Sequence, residues 1–302
     1  MPRRLAFLSM DSLDDFLVYD ALAIPHLNAL GWSVDEVSWR ADVDWSQYEV
    51  VVIRSPWDYQ DEPEAFLETL ERIANATRLE NGLDVVRWNL DKTYLRDLAD
   101  RGVPIVPTGW LDRLSPHAMS ELFDAFGVEE IVVKPTVSAN ADGTFRLHRD
   151  DTGRQLANAD LWFEAVNELA APKRTNSAVM VQPFVPSVVD EGEYSVFAFN
   201  GEISHTILKV PASGDFRVQE EHGGKVLAVE PEPSLLEATD LALAAVTEIA
   251  GPLLYARADL VRWDGGWAVM EMELIEPSLY FAHGEGSAEH FARALDALMT
   301  PS

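Results

Sequence analysis

Leu253–Ile275 reads LLYARADLVRWDGGWAVMEMELI, and its pairing decides how the C-terminal part of the chain folds. Two β-rich runs, 253–263 and 267–275, flank Asp264-Gly265-Gly266. Asp-Gly and Gly-Gly accept the positive φ values of a tight turn, so the runs are expected to pair antiparallel. Asp259 lies in the first run, Glu271 and Glu273 in the second. Side chains alternate faces along a strand, so Glu271 and Glu273 share a face, and pairing about the turn brings Asp259 near them. Three like charges repel, and burying them is costly without a compensating cation. Oxygen ligands with no Cys or His in the segment suit Mg²⁺, or Mn²⁺, rather than zinc. A solvated row of acids on an acidic protein is the competing reading.

The rest of the composition narrows the class. With 302 residues, 47% of them apolar, the chain can build more than one core. Acids outnumber bases 51 to 23, a formal charge of −28, and the dense basic clusters are only Arg3-Arg4 and Lys173-Arg174. Nucleic-acid binding needs a localised basic patch, so it is not expected. Acid spread along the whole chain reads as a solvation feature. Cysteine is absent, which excludes disulfides, thiol catalysis and Cys-ligated metals. No apolar run reaches the ~20 residues of a membrane span. Leu5-Ala6-Phe7-Leu8, followed by Asp11, Asp14 and Asp15, suits a first strand and not a signal segment. A cytoplasmic protein is expected.

Strand and helix patterns alternate through the first part: strands at 4–9, 33–37, 50–53 and 84–88, helices at 15–30 and 63–76. That alternation predicts a parallel sheet with crossover helices. Asp91–Arg101 is a further helix. The middle carries a helix over 115–126, with Ser115 as N-cap and Pro116 at its first position. Strands at 131–134 and 145–149 flank the loop 135–143, and a helix follows near Asp160–Ala170. From Val179 the chain turns mainly to strand, at 179–183, 193–199, 202–210 and 225–229. Asn200-Gly201 marks a hairpin between the second and third of these. A long helix over 234–250 precedes the acidic hairpin, and 285–299 closes the chain.

Only five lysines occur, at 92, 134, 173, 209 and 225. Lys134 ends the apolar strand Ile131-Val132-Val133 beside a small flexible loop containing Ser138, Ala139, Asn140 and Gly143. An ammonium with loop amides suits phosphate, although a strand-end lysine is often simply solvated. Lys209 shares that ambiguity. Lys92 opens a helix, where its charge opposes the dipole. The loop 214–224 ends in two glycines and contains Arg217; it reads either as a surface loop or as a lid bringing a cation to a transferring group. Arg257, two residues before Asp259, either pairs with Glu271 or Glu273 or reaches the same anions as Arg217. Arg54, Ser55 and Asp58 follow a strand's C-terminal end, where open α/β sheets bind ligands, and are candidate substrate contacts. Trp57 and Tyr59 beside them suit a packed seam.

In this order, these pieces resemble the ATP-grasp superfamily, in the branch of glutathione synthetase and the ribosomal-protein glutamate ligases. Asn89-Leu90-Asp91-Lys92 leads to Gly102-Val103-Pro104-Ile105-Val106-Pro107, matching that family's Asn-x-x-Lys helix and Gly-x-Pro-x-Pro segment. Val133-Lys134-Pro135, the hinge Val181-Gln182-Pro183-Phe184-Val185 and the strand Glu193–Gly201 follow as in the family. So do Phe216-Arg217-Val218-Gln219 with Gly223-Gly224, and Asp259 with Glu271-Met272-Glu273 twelve residues on. Glu273 stands where the family usually has Asn. Val52–Tyr59 with Val86–Asn89 is similar to a small subgroup of cyclo-ligases that close O-ureido-serine to cycloserine.

The resemblance implies an α/β fold: an N-terminal parallel α/β substrate domain over 1–88, then two α+β subdomains over 89–180 and 181–302 that clamp ATP. It implies an ADP-forming carboxylate–amine ligase working through an acyl phosphate. Mg²⁺ or Mn²⁺ would be held by Asp259, Glu271 and Glu273. Lys92, Lys134, Ser138 and Lys209 would serve the phosphates, Gln182 and Val185 the adenine, and Glu193 the ribose. Arg217 and Arg257 would stabilise the transferring group. A small carboxylate partner and a homodimer are implied, with no nucleic acid and no membrane.

Overall fold

Why the first sheet is parallel is visible in its central strands: Leu5–Leu8 and Val50–Ile53 are apolar on both faces, as a sheet covered on both sides requires. The computed structural model describes residues 3–14, 16–112, 114–138, 143–151, 179–215, 217, 218 and 223–300. Strands β1 (Arg3–Ser9), β2 (Trp32–Ser38), β3 (Val50–Ser55) and β4 (Arg78–Glu80) lie in the order β2-β1-β3-β4, all parallel. Every residue of β3 is buried. The helix Pro63–Ala76 covers one face through Phe66, Leu70 and Ile73, which recur at helical spacing.

The second sheet is antiparallel. Its strands β5 (Gly109–Leu111), β6 (Glu130–Pro135), β7 (Phe145–His148) and β8 (Val179–Pro183) run in the order β5-β8-β6-β7. The helix Pro116–Phe126 packs Met119 and Phe123 against it. Ser115 Oγ accepts a 3.1 Å bond from the Ala118 amide and so caps that helix as expected. Gly127, at φ 67°, ends it in the left-handed region.

The third sheet, also antiparallel, holds β9 (Glu193–Phe199), β10 (Glu202–Val210), β11 (Lys225–Ala228), β12 (Tyr255–Trp263) and β13 (Gly266–Glu273) in the order β11-β10-β9-β12-β13. Both hairpin turns form as the sequence predicts. Asn200 and Gly201 have φ 50° and 81°, and Asp264 and Gly265 have φ 48° and 76°. The helix Pro233–Ala250 packs Leu235, Ala242 and Val246 with Val196, Ala258 and Leu260. The helix Ser287–Met299 packs Phe291 and Leu295 with Phe197, Phe199 and, from the first sheet, Leu5 and Phe7. The parallel sheet and the third sheet therefore share one core. No helix among the described residues is long and apolar enough to cross a membrane.

Two sequence expectations fail locally. The helix expected over 15–30 is a 3₁₀ turn at Asp20–Leu22 and a short helix at Ile24–Ala29, with Asp15 itself outside the described residues. Pro25 has no amide to donate and clashes with a preceding turn, so the α-helix starts beside it. The strand expected at 84–88 is the helix Leu83–Asn89, opened after Gly82, and the strand lies just before it at Arg78–Glu80. Its buried Val85, Val86 and Asn89 sit at one, two and five, a helical spacing too short to separate from a strand run in sequence. The helix expected at 160–170 and the pair Lys173-Arg174 lie outside the described residues.

Asn81 ties the shared core together. It is fully buried, donates to the carbonyls of Tyr255 (2.9 Å) and Leu274 (2.8 Å), and accepts from the Leu254 amide (2.9 Å). Asn81→Ala leaves those three buried backbone groups unpaired. At about 1–3 kcal/mol for each unsatisfied group, the variant should lose about 3 kcal/mol or more of stability. Urea unfolding measures this, and an unshifted midpoint would contradict the assignment.

Candidate active site

The third sheet carries its charged residues on one face, because register places them side by side across four strands. Lys209 of β10 faces Glu193 of β9, Ser195 of β9 faces Asp259 of β12, and Asp259 faces Glu271 of β13. Arg257 faces Glu273. Asp259 is 3% exposed and fully bonded. It accepts from Ser195 Oγ (2.5 Å), Lys209 Nζ (3.2 Å), Arg257 Nε (3.0 Å) and Arg257 Nη2 (2.9 Å). Lys209 also pairs with Glu193 at 2.6 Å, and Arg257 with Glu273.

The charges set one another's ionisation. Burial opposes the charged form of Asp259, but Arg257 and Lys209, with the bonds from Arg257 and Ser195, overcome it and hold the carboxyl well below the usual range. Burial likewise opposes the Lys209 ammonium, and Asp259 and Glu193 raise it in return. For Glu193 burial wins over Lys209, and its carboxyl is raised. Burial outweighs the Arg257 pairing of Glu273 as well, and with the Asp259 and Glu271 charges it pushes that group up to about 8.

Opposite this face stand the second sheet and the segment before the helix Tyr94–Asp100. Lys92 lies just ahead of that helix, not inside it. It bonds Glu271 Oε1 at 2.9 Å and the Ser138 carbonyl at 2.6 Å. Lys134 ends the apolar part of β6, and among the described residues it has no hydrogen bond or ion pair. Burial, together with the Lys92 charge, lowers its pKa despite the opposing pull of Glu271. An ammonium in that position is a receptor for an anion. Gln182 of β8 is buried and donates to Thr108 Oγ1 at 3.0 Å. Arg217 forks onto Asp215, with Nη2 2.7 Å from its carboxylate. Phe216 and Gln219 of that loop, and Ala139 and Asn140 of the loop after Lys134, lie outside the described residues.

One cavity gathers these groups. Lys92, Lys134, Ser138, Gln182, Val185, Glu193 and Lys209 line it, as do Arg217, Arg257, Asp259, Glu271 and Glu273. Arg54, Ser55 and Asp58, expected to grip substrate, do not. Arg54 is fully buried and bonds Asp20 Oδ1 (2.9 Å) and the Pro277 carbonyl (2.9 Å). Ser55 Oγ donates to Asp20 Oδ2 at 3.3 Å, and Asp58 accepts from Trp39 Nε1 at 2.8 Å and from Arg40. They brace the seam, while the aromatic neighbours Phe16, Trp57 and Tyr59 reach the cavity. Sequence reasoning set Trp57 and Tyr59 down as packing residues. Ser195 was legible only through strand alternation with Glu193, two residues before it.

The donor set suits a hard divalent cation in part. Burial, added to by the Asp259 and Glu271 charges on the neighbouring strands, keeps Glu273 up at about 8. Yet among the described residues no three acidic or imidazole side chains are placed to enclose a metal by themselves. That fits Mg²⁺, which takes one or two carboxylates and completes its octahedron with water and substrate phosphates.

A cleft between two antiparallel sheets, with Lys92 and Lys134 on one side and Asp259, Glu271 and Glu273 on the other, defines a class. Residues 115–250 match the family model for the ATP-grasp domain of prokaryotic glutathione synthetase. The structure of a D-alanine–D-alanine ligase from Bacillus anthracis complexed with ATP shares the fold, with TM-score 0.65 and 18% identity over 97% of this chain and 95% of that one. The chain belongs to the ATP-grasp ligases, enzymes that form carbon–nitrogen bonds and in general use ATP and Mg²⁺.

Within them it has a relative that matches along nearly its whole length. It is 34% identical to the cycloserine biosynthesis protein DcsG of Streptomyces lavendulae, over 94% of this chain and 98% of that protein. The crystal structure of D-cycloserine synthetase DcsG superposes with TM-score 0.83 and 32% identity, covering 98% of this chain and 100% of that one. Residues 5–81 match the model of the DcsG N-terminal domain.

The raised carboxyl makes stability depend on pH. Unfolded, Glu273 titrates near 4.5; folded, it titrates at about 8. A group whose pKa rises on folding stabilises the fold below its unfolded value and loses that contribution as pH climbs through the folded one. Glu276, raised to about 7 by burial, acts in the same direction. The metal-free protein should therefore have a lower urea midpoint at pH 9 than at pH 6, and Glu273→Gln should flatten the slope. An unaltered pH profile in that variant would refute the assignment.

Proposed function

We propose that the protein is an ATP-dependent, ADP-forming ligase that activates a small amino-acid carboxylate as an acyl phosphate and closes it on a nitrogen of the same molecule. O-ureido-serine, closing to cycloserine, is the substrate that the likeness to DcsG supports best. The observation that carries the ligase reading is Lys134, a half-buried ammonium without a partner among the described residues, which shares one cavity with the Asp259–Glu271–Glu273 wall. The aromatic side chains of Phe16, Trp57 and Tyr59, which line the same cavity, support an organic substrate bound at that end.

In this reading Gln182 and Val185 hold adenine, Glu193 the ribose, and Lys92, Lys134, Ser138 and Lys209 the phosphate end. Mg²⁺ would be held at the Asp259, Glu271 and Glu273 wall by one or two of these carboxylates, and would supply positive charge to the phosphates. The substrate carboxylate attacks the γ-phosphorus and ADP leaves. The nitrogen bonded to the side-chain oxygen then attacks the acyl carbon, phosphate leaves, and a five-membered ring closes. The carbamoyl group on that nitrogen is subsequently released by water. Arg217 and Arg257 supply positive charge to the transferring phosphoryl and the tetrahedral oxygen. No protein nucleophile is needed, consistent with a chain that lacks cysteine. The demands are positioning and charge.

ADP release, screened over O-ureido-serine, other amino acids and dipeptides, tests the reading. Release should be strongest with O-ureido-serine, and hydroxylamine should divert the acyl phosphate to a hydroxamate. Lys134→Met should lower kcat/KM by roughly 10²–10³-fold, the scale of losing one preorganised charge at a reacting group. Glu271→Gln should abolish turnover while far-ultraviolet circular dichroism and melting temperature survive. Near-normal turnover in Glu271→Gln, or no ADP release with any substrate, would refute the reading.

A further inference from the structure

The charged lining of the cavity almost neutralises itself. Five acids line it, Glu193, Asp259, Glu271, Glu273 and Glu276, with five bases, Lys92, Lys134, Lys209, Arg217 and Arg257. Glu193 pairs with Lys209, Asp259 with Lys209 and Arg257, Glu271 with Lys92, and Glu273 with Arg257. Arg217 pairs with Asp215. Among the described residues this leaves one base and one acid of the lining without an ion pair, Lys134 and Glu276. The base sits at the nucleotide end, on the strand that pairs with β8 and its Gln182. The acid sits at the other end, against the N-terminal domain.

Glu276 is held in place by that domain. The Tyr59 hydroxyl faces its carboxylate and favours its charged form. Trp57 Nε1 donates to its main-chain carbonyl at 2.9 Å, and Arg54 Nη2 donates to the next carbonyl, that of Pro277, also at 2.9 Å. Tyr59 is itself locked by stacking on Phe66, with ring centroids 4.7 Å apart. Phe16 packs against Trp57 with centroids 5.4 Å apart, and both rings line the cavity beside the carboxylate. A carboxylate whose main chain is held by two hydrogen bonds, walled by aromatic rings and without an ion pair among the described residues, is a receptor for a small organic cation. An α-amino acid supplies one. With its carboxylate directed to the phosphate end, its ammonium is the group left for the opposite end.

We propose that Glu276 is the residue that binds the α-ammonium of the substrate, with Tyr59 positioning its carboxylate, so that the enzyme selects amino acids whose amine is free. The inference rests on the proposed ligase function and extends it to the recognition of the amine. The two unpaired charges thereby fix the polarity of the substrate in the cleft, anion toward Lys134 and cation toward Glu276. Removing this contact subtracts binding common to ground and transition states, so it acts on KM more than on kcat.

The test compares wild type, E276Q and Y59F by ADP release, offering each amino acid with a free and with an N-acetylated α-amine. Affinity for ADP with Mg²⁺ is read separately by calorimetry. The expected result is turnover of free O-ureido-serine and not of its N-acetyl form by wild type. E276Q should raise KM by roughly ten- to a hundredfold, the scale of losing one charge-assisted hydrogen bond, with kcat within about threefold. Y59F, which keeps the ring stack, should raise KM less. Nucleotide affinity should be unchanged in both. Turnover of O-ureido-serine with an E276Q KM like that of wild type, or equal use of the N-acetyl form by wild type, overturns the inference and leaves the ligase function standing. Loss of Mg²⁺–ADP affinity in E276Q assigns the residue to the metal site instead and overturns it too. Absence of turnover with every free amino acid overturns the ligase function and the inference together.

Discussion

Asp259 holds the site together. Its carboxylate is buried, yet it stays ionised because Arg257, Lys209 and Ser195 all donate to it. Those donors come from three strands, β9, β10 and β12, so the ion cluster also fixes how the strands register. A buried charge pair is costly to form, and removing one partner costs about 3–5 kcal/mol because the other is left stranded. The cluster therefore tolerates little rearrangement. Its rigidity fixes where Arg257 points, and Arg257 in turn restrains Glu273 on the neighbouring strand. Charges held in this way need no reorganisation when negative charge develops nearby, which is how a phosphoryl-transfer site gains most of its effect.

The second constraint is the seam between the parallel sheet and the third sheet. Tyr255 Oη lies 2.8 Å from the Ile53 carbonyl and 2.7 Å from that of Ile275, inside the core that both sheets share. Asn81 and Arg54 add hydrogen bonds to the same region. The segment after the acidic hairpin is thus clasped by the N-terminal domain while Glu276, Ser278 and Tyr280 face the cavity. Residues that read as substrate contacts in sequence, Arg54 above all, are consumed in making this clasp. The clasp in turn delivers Trp57 and Tyr59 to the cavity wall.

Much of the fold was legible because local signals agreed with the tertiary outcome. Ser115-Pro116 opens a helix, and Asn200-Gly201 and Asp264-Gly265 make two-residue turns with both residues at positive φ. The short helix Leu83–Asn89 was misread because seven residues with two adjacent valines carry no decisive period. The 15–30 region was misread because its apolar spacing continued through a proline that the helix could not accommodate. For the site, cation and anion types were readable from strand ends and from the spacing of Asp259, Glu271 and Glu273. Which cation neutralises which anion was not.

By itself the sequence determined the hairpins, the alternation that makes the first sheet parallel, and the set of charged residues available to a nucleotide and a metal. These follow from chain geometry: period two in strands, positive φ at turns, and the absence of cysteine. Only the tertiary structure decided the pairing within that set. Glu271 is paired with Lys92 from a segment nearly 180 residues earlier, whereas Glu276 forms no ion pair among the described residues. The reason is that Coulomb energy and desolvation depend on distance and burial in three dimensions, not on separation along the chain.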